Sequence, residues 1–373
     1  MTAYRLPATA LLLALTACAT TSVSPPVTAL PAQAPAARAT PAIAIATVAE
    51  RYVSAESPAD ELDSLASYPT SDGRTWLIAS AKSSHRLVVF DADTGTRLRD
   101  VGSEGTAPGQ FDRPNGVAVH GDTLFVVERD NRRVQVLDLP AFKPVGSFGT
   151  AELRSPYGIW LTETEPGEVE AYVTDSFMEG AKFDVVPPLA QLDQRVRRYR
   201  VLRDQAGALR ASYGGSFGDT SEAGALRMVE SIAGDPANDR ILVADEDRRH
   251  ASTLREYTFS GRYTGRSLPE DAFGAEAEGV ALWSCGKGAG YWIAVDQLAP
   301  LTVFHMFDRI TLKSVGSFRG ATTAHTDGVV LHAASTRAFP HGALFAVHDD
   351  KAVSAFDLGD IARELKLSRD CLG

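Results

Sequence analysis

The chain has 373 residues, 44% hydrophobic and 23% charged, an ordinary globular composition that excludes a wholly disordered chain and a polytopic membrane protein. Its 37 basic and 47 acidic residues leave a formal charge of −10. So acidic a chain lacks the basic surface that holds a phosphate backbone, and nucleic acid is not expected as a partner.

Residues 1–18 read MTAYRLPATALLLALTAC. One Arg precedes an apolar run from Ala8 to Leu15, too short to span a bilayer as a helix of about 20 residues. Small residues then lead to a Cys. The ending Leu15-Thr16-Ala17-Cys18 resembles the lipobox of bacterial lipoproteins. That resemblance implies a signal peptide over 1–17, lipid on the Cys18 sulfur, and a bacterial cell-envelope location at the outer membrane, periplasm or cell surface. The membrane would be met through the lipid anchor alone. A plain secretory signal with an incidental Cys is the alternative. Residues 18–49 are rich in Ala, Pro, Thr and Val and carry no acid. Such a stretch buries too little apolar surface to offset its ordering entropy, which predicts a flexible tether. Cys285 and Cys371 then remain, an even count that permits one disulfide in an exported chain; two free thiols are the alternative.

From residue 50 to 373 the sequence predicts one domain of short β-branched and aromatic runs separated by Gly, Asp and Pro, an all-β signal. The runs repeat in a fixed order. A first strand opens at Asp63, Asn115, Tyr157, Glu230, Glu278 and Asp327, each followed by Gly or Ser and then apolar residues. A second strand reads WLIASAK, LFVVERD, AYVTDSF, ILVADED, YWIAVDQ and LFAVHDD. A third reads LVVFD, VQVLD, VRRYR, LREYT, FHMFD and VSAFD, and four copies add a Gly-Ser step. The openings are spaced by 52, 42, 73, 48 and 49 residues. Self-similarity at about 40–50 residues with four strands per unit predicts a six-bladed β-propeller. The long spacing places an insertion at Phe177–Gln194. Closing the ring removes exposed sheet edges, and the segment near Arg51–Val53 is the candidate to complete the last blade. In the second unit, Gly105-Thr-Ala-Pro-Gly-Gln-Phe-Asp-Arg-Pro-Asn-Gly-Val closely resembles an NHL repeat, which implies a blade and no particular chemistry.

The first strand of a blade lines the central channel, so the six opening residues should converge at one mouth. Turns after the second strands add Lys82, Arg129, Glu246, Asp247 and Gln297. Carboxylates crowded together repel and raise one another's pKa unless a cation compensates. Oxygen ligands without a His or Cys cluster suit calcium, not zinc or copper.

The segments Glu278-Gly-Val-Ala-Leu, Gly290-Tyr-Trp-Ile-Ala-Val-Asp-Gln297, Val315-Gly-Ser-Phe, Thr326-Asp327-Gly and Phe339-Pro-His-Gly resemble the β-propeller phytases, calcium-dependent phosphatases of inositol phosphates. Val229-Glu230-Ser-Ile-Ala and Ile241-Leu-Val-Ala-Asp-Glu246-Asp247 fit as well, with a looser match upstream at Arg113-Pro-Asn115-Gly-Val and Ile78-Ala-Ser-Ala-Lys82. The resemblance implies Asp63, Tyr157, Glu230, Glu246, Glu278, Gln297 and Asp327 as calcium or active-site ligands. It implies Lys82, Arg129 and Tyr157 as phosphate-binding groups, and Glu230, Glu278, Lys82 and Arg129 as the catalytic set. The pattern departs from the family at Leu62-Asp63, where paired Asp is usual, at Gly116 and Ala118, which stand for an Asn and an Asp, and at His325.

These readings imply a monomeric, exported, calcium-dependent phosphomonoesterase acting on phytate or a related small anionic ester. The alternatives are a non-catalytic NHL-like propeller that binds an envelope protein or ligand, and a metal-dependent lactonase-type propeller. Gly214-Gly-Ser216-Phe-Gly218 matches the G-x-S-x-G pattern but falls in a repeated blade segment, not on a strand-to-helix turn. The run Arg195–Arg200 reads as an exposed strand face.

Overall fold

The computed structural model describes residues 44–372; the expected signal peptide, Cys18 and most of the tether lie outside them. Six antiparallel sheets form the six blades of a β-propeller. Their inner strands are Leu62–Pro69, Pro114–His120, Pro156–Glu165, Val229–Asp235, Ala277–Ser284 and Val329–His332. Each is followed outward by its second and third strands, as in blade one with Thr75–Ala81 and Arg86–Asp91. Among the described residues there is one α-helix, Leu358–Glu364, whose N-cap Asp357 accepts the Asp360 amide.

Blades hold together face to face. Each of the six interfaces has its own apolar cluster. The closing one sets Phe345 and Val347 of blade six against Leu77 and Val88 of blade one. Burying such side chains is worth about 1.5–3 kcal/mol each.

The chain start closes the ring. Tyr52–Val53 pairs antiparallel with the third strand of blade six, Ala352–Asp357, supplying the fourth strand expected from that segment. The Tyr52 hydroxyl donates to the Ala92 carbonyl at 2.9 Å. Composition alone runs the tether to residue 49, but Ala46–Thr47 already pairs in parallel with the outer strand of blade five, Ser314–Arg319. The reason is packing: Val48 is buried among Phe304, Phe318 and Phe356. Glu50 then accepts the amides of Ala321, Thr322 and Thr323. At the other end, Cys285 and Cys371 are bonded, with Cα atoms 4.5 Å apart. The bond ties the C-terminal segment to blade five.

Blade three carries the long excursion, between Glu168–Asp175 and Val196–Arg203, with a 3-10 turn at Leu189–Gln194. The neighbouring arginines do not form a uniformly exposed face, because Arg195 and Arg197 are buried. Arg195 donates to the carbonyls of Asp175, Phe177, Leu226 and Arg227, and Arg197 pairs with Asp175 at 3.1 Å. Gly214–Gly218 runs along the outer strand Leu209–Phe217 and past its end, so it is no nucleophile elbow.

Candidate metal and anion site

The small residue after each opening residue has a steric cause. A Cβ on Gly116 would lie 2.4 Å from the Tyr157 carbonyl oxygen, on Gly158 2.3 Å from that of Glu230, on Gly279 2.8 Å from that of Asp327, and on Gly328 2.2 Å from that of Asp63. Each glycine therefore lets the next blade's opening residue come against its own strand. At four of the six junctions, the one between Gly328 and Asp63 among them, this crowds neighbouring opening residues together; Ser64 and Ser231 stand at the other two.

A second ring lies beside the first. The residue after each second strand donates its amide to the segment entering the inner strand: Lys82 to Glu61, Arg129 to Arg113, Ser176 to Ser155, Glu246 to Met228, Gln297 to Glu276 and Asp349 to Ala324. Acids one position earlier fix those entering segments. Glu128 accepts from the Asp112 amide, Asp175 from Ser155, Asp245 from Met228 and Asp296 from Ala275. Three of these acids pair with an arginine of the third strand, Arg133, Arg197 or Arg255, and Asp296 lies 3.2 Å from His305 Nε2. In blade six His348 Nδ1 takes the same place and accepts the Ala324 amide. These acids are structural, and the residues that follow them reach the mouth.

The mouth divides into two electrostatic halves. In one, Lys82 Nζ lies 3.1 Å from Asp63 Oδ1, 3.2 Å from Asp327 Oδ2 and 3.7 Å from Glu61 Oε1. Gln297 Nε2 donates to Asp327 Oδ1 at 2.7 Å. In the other, Glu230, Glu246 and Glu278 each present a carboxylate oxygen within 4.8 Å of the others. Burial and the charges of Asp63 and Asp327 push Glu230 up to about 8. Burial, then Glu230, raises Glu246 and Glu278 well above the ordinary carboxylate range. Burial and Asp327 push Asp63 up to about 6 despite Lys82.

One observation suits a hard cation at the glutamate half. Glu246 Oε1 is buried without a hydrogen-bond partner. Elsewhere on the opening ring, in blade two, the fully buried Asn115 side chain has none at either polar atom. Oxygen donors, clustered and undercoordinated, are what calcium takes up. The channel waist between Asp63, Tyr157, Glu230 and Asp327 has a volume of only about 10 Å³, about one water.

Tyr157, Glu230 and Glu246 also line a cleft of about 720 Å³ that opens from the mouth between blades two, three and four. Arg129, Arg132, Arg154 and Lys182 line it too. Arg129 pairs with Asp130 at 2.7 Å. Among the described residues, Arg132, Arg154 and Lys182 form no ion pair. Burial and Glu230 push the Tyr157 hydroxyl up to about 12, so it stays protonated at neutral pH.

The structure thus brings Asp63, Lys82, Gln297 and Asp327 into one network and Glu230, Glu246 and Glu278 into another, with Tyr157 and Arg129 at the cleft. Asp247 turns aside to Arg249 and His250. Sequence reasoning missed Asp350, which groups with His325 and Asp327. It lies one position past Asp349, the blade-six equivalent of Lys82, Arg129, Glu246 and Gln297, so the repeat frame did not single it out. Sequence reasoning also missed Arg132, Arg154 and Lys182, which sit in loops outside the repeated frame and carry no spacing signal.

No family model matches the chain, and no curated protein matches it. Among solved structures it is similar to hydrazine synthase of Kuenenia stuttgartiensis, at 15% identity and a TM-score of 0.46 over 86% of this chain and 85% of that one. It is also similar to a chain of the nidogen/laminin complex, at 16% identity and a TM-score of 0.43 over 73% of this chain and 84% of that one. At these values neither likeness bears on function.

Proposed function

We propose that the protein is an exported, calcium-dependent phosphomonoesterase acting on phytate or a related small phosphate ester. The observation that carries this reading is the adjacency of an uncompensated glutamate cluster, Glu230, Glu246 and Glu278, to a cleft with three unpaired cations. The first favours a hard dication and the second an anion, and a phosphate ester beside calcium satisfies both. Glu230, Glu246 and Glu278 would hold the cation. A bound calcium supplies neutralisation of phosphate charge and acidifies a water. Arg154, Arg132 and Lys182 orient the ester oxygens, and the Tyr157 hydroxyl donates a hydrogen bond. Lys82 holds Asp63 and Asp327 in place, and Arg129, set against Asp130, borders the phosphate side. Cys18 carries the lipid that keeps the protein at the cell envelope; Cys18→Ala should move it out of the detergent phase.

The test is phosphate release from phytate and from simple phosphomonoesters, with calcium and with a chelator. Release that needs calcium supports the reading, and none from any ester overturns it. A non-catalytic ligand-binding propeller is the second reading. It is favoured by the Lys82 bridge, which already neutralises half of the mouth from within.

A further inference from the structure

Resting on the phosphoester reading, we infer that the blade-three insertion makes this cleft a site for phosphate esters whose organic group carries a flat apolar ring, the aryl phosphate class. The excursion leaves the second strand at Ser176, the position that holds Lys82, Arg129, Glu246 and Gln297 in other blades. It must therefore rise on the mouth face. Insertions in one repeat of an otherwise regular array commonly build the binding face. Its base is rigid, because buried Arg195 ties Asp175 and Phe177 to Leu226 and Arg227 through four carbonyls.

The insertion gives the cleft Phe177, Met178, Lys182 and Phe183, and blade four adds Met228. These do different things. Phe177 lies under the Arg154 guanidinium, 3.7 Å from its ring centroid, and so aims a free cation into the cleft. Lys182 adds a second charge. Phe183 is 76% exposed and holds a φ of +53°, a conformation bulky side chains rarely adopt. Reciprocal backbone hydrogen bonds between Glu179 and Val185 hold the tip in this form. An exposed ring held in that conformation gains no burial from its own protein. It gains burial if a ligand ring stacks on it, with Met178 and Met228 as polarisable flanks. The cleft is large enough for such a molecule, since small-ligand sites run from about 300 to 1,000 Å³. The phosphate would then face Arg154, Lys182 and Glu230, and the ring would face Phe183.

The test uses calorimetry on the full chain with two phosphonates that cannot be hydrolysed, phenylphosphonate and methylphosphonate, with calcium and with a chelator. Phenylphosphonate should bind about five- to tenfold more tightly. Phe183→Ala, at an exposed tip, should bring the ratio to about one without changing methylphosphonate binding. Arg154→Ala should weaken both. Equal affinities in the unaltered protein, or a ratio unchanged by Phe183→Ala, overturn the ring site, and calcium-dependent phosphate release would still stand as a separate result. Ring-selective binding with no phosphate release supports the site while removing the phosphatase reading. Failure of both phosphonates to bind overturns the site.

Discussion

Lys82 Nζ bridges Asp63 Oδ1 at 3.1 Å and Asp327 Oδ2 at 3.2 Å, linking the first blade to the last at the seam that closes the ring. The side chain is almost fully enclosed, so the bridge works in a poorly screened environment. Lys82→Met should leave two facing buried carboxylates without their cation. Breaking one side of such a buried pair costs about 3–5 kcal/mol. The variant should melt well below the unaltered protein in chelator and recover more of its stability when calcium is added. Equal melting temperatures in chelator would show that the bridge contributes nothing.

The glutamate half makes the opposite demand, because Glu230 is pushed up to about 8 from its ordinary 4.5. A carboxyl whose pKa is raised by folding binds its proton more tightly in the native state. Its contribution to stability is therefore full below about pH 4.5 and is lost as pH rises through about 8. In chelator the melting temperature should fall across that window. Calcium should flatten the fall, since a cation takes over the compensation that protons supply. A calcium concentration a hundredfold above Kd stabilises by about 2.7 kcal/mol. Glu230→Gln should reduce the pH dependence in that window, leaving the share that Asp63, Glu246 and Glu278 carry, and should remove much of the calcium response. Thermal unfolding from pH 4.5 to 8 reads both; an unchanged slope in Glu230→Gln would assign the titration elsewhere.

The propeller was legible because each blade repeats the same physical problem. A polar opening residue, a glycine or serine, and apolar alternation recur at Asn115-Gly116, Glu278-Gly279 and Asp327-Gly328, and close approach to the next blade demands that order. The closing strand at Tyr52–Val53 was legible for a related reason, since one blade was a strand short. Two things were not. Residues Ala46–Val48 look like tether because Ala, Thr and Val give no turn or charge signal, and only Val48 against Phe318 shows why they are held. The division of the mouth was also hidden. The sequence gathers acids and bases at one end of the channel but not their pairing, and Lys82 goes to Asp63 and Asp327 instead of standing free for an anion. The cations left free lie in loops such as Arg154 and Lys182, where repeat arithmetic is silent.

Gly328 tests the steric account of ring closure. Its backbone is not in the left-handed region, so alanine there suffers no conformational penalty of its own. The penalty comes from the Asp63 carbonyl oxygen, 2.2 Å from the added carbon. Gly328→Ala must push blade six away from blade one or distort both, at a cost of about 1–3 kcal/mol or more. Gly286→Ala is the control, since its added carbon meets nothing within 4 Å. The first should lower the denaturant midpoint and the second should leave it within about 0.5 kcal/mol of the starting stability. Equal midpoints would remove the close-approach explanation for the repeated small residue.

The chain start offers the sharpest test of what closes the ring. A protein beginning at residue 44 keeps Ala46–Thr47 on blade five, Val48 in its apolar cluster, the Glu50 contacts and the Tyr52–Val53 strand. It should melt at the same temperature as a version that also retains the tether. A protein beginning at Ala55 loses all four features. It forfeits the burial of Val48, about 1.5–3 kcal/mol, the partial burial of Tyr52 and the backbone pairing along Ala352–Asp357. It also exposes that strand as an open edge, which other chains can pair with. The shorter protein should therefore melt several degrees lower and elute partly as aggregates in size-exclusion chromatography. A monomer with unchanged melting temperature would mean that the blade clusters alone hold the ring shut.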